Sequence, residues 1–130
     1  MSSSSRKTGT ETPKASKQQG LLDGWAASVL RLKSEAVESE KTVRDFWGPY
    51  DLVGAYHHRS RLEASRTDGF ASAIDAVDEL LRSFSEDIGS SWVRSIGLGE
   101  EAGAQWWWNF VPRIGPLRSE LDDRLGRGSI

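Results

Sequence analysis

The chain has 130 residues, 37% of them hydrophobic and 28% charged, with a net charge of −2 and no cysteine. That length suits one domain, and the missing cysteines exclude disulfides, thiolate nucleophiles and cysteine-based zinc sites. No apolar run approaches the roughly 18 residues needed to span a bilayer, and the N-terminus lacks the apolar stretch of a secretory signal, so a soluble, cytoplasmic protein is expected.

Residues 1–19 are Ser-rich and have no apolar period, and read as a disordered tail. Arg6, Lys7, Lys14 and Lys17 outweigh Glu11 there, which makes the tail basic. The remaining chain, 20–130, is expected to form a single helical domain and is acidic, with 13 Lys and Arg against 18 Asp and Glu. An acidic body repels polyanions, so nucleic acid is an unlikely partner for it. The basic tail keeps nucleic-acid binding as an alternative. Arg exceeds Lys in the body, and Ala and Gly are common, which points to a GC-rich bacterial or phage genome.

Leu22, Trp25, Val29, Leu32, Ala36, Val43, Phe46 and Tyr50 fall on steps of three and four, interrupted only at Ser39. This predicts an amphipathic helix over 21–47, close to a heptad seam. Its other face carries Arg31–Glu35, Glu40–Arg44 and Lys41–Asp45 as solvated i,i+4 pairs. Gly48-Pro49 stops it. In the next segment, 51–65, a helix capped by Asp51 places Leu52, Ala55, Tyr56, Arg59 and Leu62 on one side. A strand remains an alternative there, but the Ala, Leu, Glu and Arg content favours helix.

Thr67 or Asp68 caps a further helix carrying Phe70, Ile74, Val77, Leu81 and Phe84. Asp75, Asp78 and Glu79 are expected on its polar side, with Asp78 pairing to Arg82. After a kink near Ser85, Ile88 and Trp92 extend the face into a short helix that Gly97 and Gly99 end. "GLGEEAG" (97–103) is no phosphate loop, because Glu100 and Glu101 would repel phosphate. The last helix starts at Pro116, repeats Leu117, Leu121 and Leu125, and ends at Gly126. The fold expected is all-α, a small hairpin or bundle of about five helices. Trp47-Gly48-Pro49 lacks the residue that separates Trp from Gly in small secreted helical-hairpin proteins, so no family is assigned.

"AQWWWNFVPRIGP" (104–116) holds three of the six tryptophans. Each can bury about 150–250 Å², so three left in water would exceed the largest apolar patch typical of a monomer. Neighbouring side chains on a helix diverge by about 100°, so one core cannot take all three; on a strand Trp106, Trp108 and Phe110 share one face and Trp107 joins Val111 on the other. Trp106 and Trp107 are expected as buried anchors with Phe110 and Val111, and Trp108 as the residue directed outward. Trp106, Trp107, Trp108, Phe110 and Arg113 are the candidate partner-binding residues, and the partner expected is another protein, a basic one being the match for the acidic body.

His57 and His58 are the only histidines. Adjacent on a helix, they diverge and do not readily share a metal. No cofactor or metal site is expected. A small enzyme or metal-dependent hydrolase using His57, His58 and nearby carboxylates is the alternative to a non-enzymatic, protein-binding accessory, regulatory or toxin-neutralising protein.

Overall fold

A computed structural model of the chain describes residues 13–37, 46–97 and 105–126. Among them are five α-helices and one short antiparallel β-pair, so the all-α expectation holds for the fold class. The first helix, α1 (Pro13–Val37), begins with proline at a position where its missing N–H costs nothing. It therefore starts inside the segment expected to be a disordered tail. Gln18 is buried and takes a hydrogen bond from the Thr67 hydroxyl at 2.9 Å. Such a polar anchor has no apolar period, and for that reason the pattern missed it. Arg6, Lys7 and Glu11 lie outside the described residues.

The expected stripe is the inner face of α1: Leu22, Trp25, Val29, Leu32 and Ala36 are buried, joined by Leu21. The helix does not continue to residue 47. It is described to Val37, Val43 and the pairs Glu40–Arg44 and Lys41–Asp45 lie outside the described residues, and Phe46 to Gly48 are not helical. Glu35 accounts for part of the return. It is buried, not solvated: one carboxylate oxygen holds Arg31 at 2.7 Å and the other accepts the Trp47 backbone N–H at 2.8 Å. The Arg31 guanidinium also lies over the Trp47 ring. Tyr50 leaves the stripe altogether, exposed on the next helix with its hydroxyl donating to the Ile96 carbonyl.

Helix α2 (Pro49–Ala64) replaces the strand alternative for 51–65. Gly48 is its cap and Asp51 sits in its first turn, where the carboxylate accepts the Gly48 N–H at 2.9 Å. Pro49 thus starts this helix. The side predicted to be shared is the buried side: Leu52, Ala55, Tyr56, Arg59 and Leu62, joined by Val53. Helix α3 (Asp68–Phe84) follows, with Ile74 and Leu81 buried and Phe70, Val77 and Phe84 packed at the core edge. Both α2 and α3 pack on α1.

The expected kink at Ser85 is a change of structure type. Ser85–Asp87 forms a strand, β1, paired antiparallel with β2 (Phe110–Pro112) in the register Ser85↔Pro112, Glu86↔Val111 and Asp87↔Phe110. Pro112 cannot donate to a ladder, and it stands at the end of the pair. Ile88 lies in no helix, its backbone N–H donating to the Asn109 carbonyl at 2.8 Å, and Trp92 belongs to a helix that follows, α4 (Ser91–Ser95). Glu100 and Glu101 lie outside the described residues. The last helix, α5 (Pro116–Leu125), has the predicted proline start, buried Leu117 and Leu121, and a left-handed Gly126 end. Arg118 ties it to the β-pair by reaching Glu86 and the Pro112 carbonyl.

Gly115 opens α5 at a φ of 106°, where side chains are strongly disfavoured. A Cβ there would stand 3.0 Å from the Ala36 Cα, so the glycine also lets this turn lie on the end of α1. The core centres on Tyr56, whose ring meets Trp25, Trp92 and Trp108 at centroid distances of 6.0, 6.3 and 5.5 Å. Its hydroxyl donates to the Phe110 carbonyl at 2.6 Å. Burial pushes the Tyr56 phenol well above its ordinary range.

Candidate binding cleft beside the tryptophan segment

The tryptophan triplet is neither of the geometries weighed from sequence. Trp106–Asn109 is a short 3-10 helix, whose tighter winding sets successive side chains about 120° apart. Two of the three fall inward. Trp107 and Trp108 are each 1% exposed. Trp107 donates its indole N–H to the Tyr56 carbonyl at 3.2 Å, and the Trp108 carbonyl accepts the Trp92 indole N–H at 2.7 Å.

The expectation that Trp108 points outward is therefore corrected. Its ring is enclosed by Tyr56, Trp92 and the His57 imidazole. Trp108 cannot meet a partner without unfolding the core, and Trp107 presents almost no surface to one. Trp106 is the half-buried member, packed edge-on against Phe110 at 5.6 Å. Phe110 is half-buried in β2 and does not line the cleft described below. Arg113 is exposed, but its guanidinium donates to the Ser83 carbonyl and its backbone N–H to Phe84, which hold it against the end of α3.

The two histidines diverge as the helix geometry requires. His57 is exposed with its ring on Trp108, whereas His58 places Nε2 2.8 Å from the Leu21 carbonyl. Since a carbonyl only accepts, this nitrogen carries the proton. Among the described residues, no group of three or more histidine, aspartate or glutamate side chains is arranged to hold a metal ion. Nor is any described helix long and apolar enough to cross a membrane.

Between α2, α3 and the 3-10 turn lies an open cleft of about 490 Å³. Its floor is Arg59, Asp78 and Trp107, all nearly inaccessible to solvent. Asp78 was expected on the solvated side of α3, paired with Arg82. Instead it is 3% exposed, and its partners come from other helices. The carboxylate accepts Arg59 Nε at 3.0 Å and Nη2 at 2.8 Å, and also the Trp25 indole N–H at 3.0 Å. One carboxylate thereby joins α1, α2 and α3. A buried charge survives only with such compensation.

The walls are more exposed. Glu63 accepts Arg59 Nη1 at 2.9 Å. Arg66 donates to Asp75 at 2.9 Å, and this bond, with the nearby charges of Asp75, Glu63 and Asp78, raises the Arg66 guanidinium above its usual range. Arg82 donates to Glu79 at 3.1 Å and lies with its guanidinium carbon 3.9 Å from the Trp106 ring centroid. Three arginines face four carboxylates, leaving one excess negative charge along the lining.

Of the five residues expected to bind a partner, only Trp106 and Trp107 reach this cleft, and Trp107 forms its floor. The charged lining was missed. The available signal was an arginine on the apolar side of α2 and an aspartate on the apolar line of α3 between Ile74 and Leu81. No known protein family, curated protein or solved structure matches the chain.

Proposed function

We propose that the chain is a non-enzymatic protein-binding module that holds a basic segment of another protein in the cleft between α2 and α3. The observation that carries this reading is the cleft itself: it is open, has an acidic excess, and offers the half-buried Trp106 ring at its edge. Along α3, Asp68, Asp75 and Glu79 are exposed at helical steps of seven and four, which extends the negative surface beyond the cleft. Opposite charge of this kind speeds encounter and selects partners. Every charged group lining the cleft has an opposite charge in contact, an arrangement suited to exchanging ion-pair partners. In this reading the chain acts as a soluble cytoplasmic accessory, regulatory or toxin-neutralising protein.

The test is capture from the native cell by the full chain and by the Asp75→Lys, Glu79→Lys double variant in parallel. The reading expects a partner with a basic face that salt releases and that the charge-reversed chain does not hold. Equal capture of the same partner by both chains defeats it.

A further inference from the structure

The cleft holds two guanidinium groups in the same way. Inside, the Arg59 guanidinium lies 4.3 Å from the Trp107 ring centroid while Asp78 and Glu63 accept its N–H groups. At the mouth, the Arg82 guanidinium lies 3.9 Å from the Trp106 ring centroid while Glu79 accepts its Nη1. The difference is solvent. The Arg59 side chain is 1% exposed, whereas those of Arg82 and Glu79 are 40% and 76% exposed. An ion pair so exposed is weakly held against water, so Arg82 can leave the indole at little cost. Arg59 cannot, because Asp78 would remain buried and unpaired.

We propose that the Trp106 face, with Glu79 and the neighbouring Asp75, is a recognition site for an arginine side chain of the partner, occupied in the unbound protein by the chain's own Arg82. This rests on the reading of the cleft as a site for a basic segment and adds the residue that the segment must carry. A planar guanidinium can lie on an indole and donate to a carboxylate at its edge at the same time. A lysine ammonium is a more strongly hydrated point charge and matches this geometry less well. Charge favours the exchange. With Arg82 displaced, two arginines face four carboxylates, and an incoming arginine restores the present balance. An anionic ligand would instead have to draw Arg66 or Arg82 away from a carboxylate that stays behind.

The test is calorimetric titration of the full chain with acetyl-Gly-Arg-Gly-amide and with its lysine counterpart. Arg82→Ala and Arg82→Gln vacate the indole, and Trp106→Leu removes its π face while keeping apolar bulk. Both Arg82 variants should bind the arginine peptide about 2- to 5-fold more tightly than the parent chain, the range expected for one exposed cation–π contact. The lysine peptide should bind more weakly than the arginine peptide, and adding Trp106→Leu should remove the gain. The proposal is overturned if neither Arg82 variant binds more tightly, if the two peptides bind alike, or if the gain survives without Trp106. Such a result leaves the basic-segment reading standing as long as charge reversal at Asp75 and Glu79 still abolishes capture. Equal capture by the charge-reversed chain removes that reading whatever the peptides do.

Discussion

Replacing Asp78 with alanine should be among the most damaging single changes in this chain that leave its apolar core untouched. The carboxylate accepts three hydrogen bonds, two from Arg59 and one from Trp25, and Arg59 is 1% exposed. Without it, Arg59 keeps only Glu63 as an anionic partner, and the Trp25 indole N–H loses its acceptor. Breaking a buried pair from one side costs about 3–5 kcal/mol, because the remaining charge stays buried and uncompensated. That is a fifth or more of the roughly 5–15 kcal/mol that stabilises a typical domain. Urea unfolding followed by circular dichroism should show a midpoint at least about 1 M lower. Asp75→Ala is the control: its side chain is 67% exposed, and its pair with Arg66 should be worth only about 0–1 kcal/mol. Arg59→Met combined with Asp78→Leu removes both charges and should recover most of the loss. A cost for Asp78→Ala below about 1 kcal/mol, or no larger than that of Asp75→Ala, would show that the Arg59–Asp78 pair does not hold the three helices together.

Two further outcomes follow from the packing. Gly115→Ala should cost roughly 3 kcal/mol, since a φ of 106° is combined with a Cβ 3.0 Å from the Ala36 Cα and 3.3 Å from the Glu35 carbonyl oxygen. Gly126→Ala has a φ of 76° but meets nothing within 4 Å, so only the backbone term of about 1–2 kcal/mol applies; equal losses at the two sites in urea unfolding would remove the close approach as a cause. Tyr56 gives a pH signature. Burial raises its phenol in the folded chain, so above about pH 10 the unfolded chain releases a proton that the folded chain retains. Stability from this group is intact below pH 10 and falls as pH rises beyond it. Tyr56→Phe should lose about 1 kcal/mol near neutrality with the hydrogen bond to Phe110, yet show a shallower alkaline decline. An unchanged alkaline slope would contradict the assignment.

Where one face of a helix is apolar and continuous, its period was readable from the sequence. That holds for the inner faces of α1, α2 and α3, and for α5 with its proline start and glycine end. Where a residue's partner is distant in the chain, periodicity sees only local substitutes. Asp78 was matched with Arg82 four positions on, whereas its partners are Arg59 and Trp25, 19 and 53 positions away. Arg59 had been placed correctly among apolar neighbours, but a buried base implies a buried acid, and that step points from α2 to α3. Three-residue strands such as β1 and β2 are too short to show alternation. The triplet Trp106–Trp108 was weighed as helix or strand, and the 3-10 geometry lies between them. Its winding buries two indoles and leaves one at the cleft.

The tryptophan-rich segment seals the core and presents only Trp106 of its three indoles, at the mouth of a charged cleft. Hydroxyl-radical footprinting of the full chain, read residue by residue by mass spectrometry, tests it directly. Trp106 should be oxidised readily, while Trp25, Trp92, Trp107 and Trp108 should be protected until the chain unfolds. Oxidation of Trp108 at the rate of Trp106 in the folded protein would contradict the account.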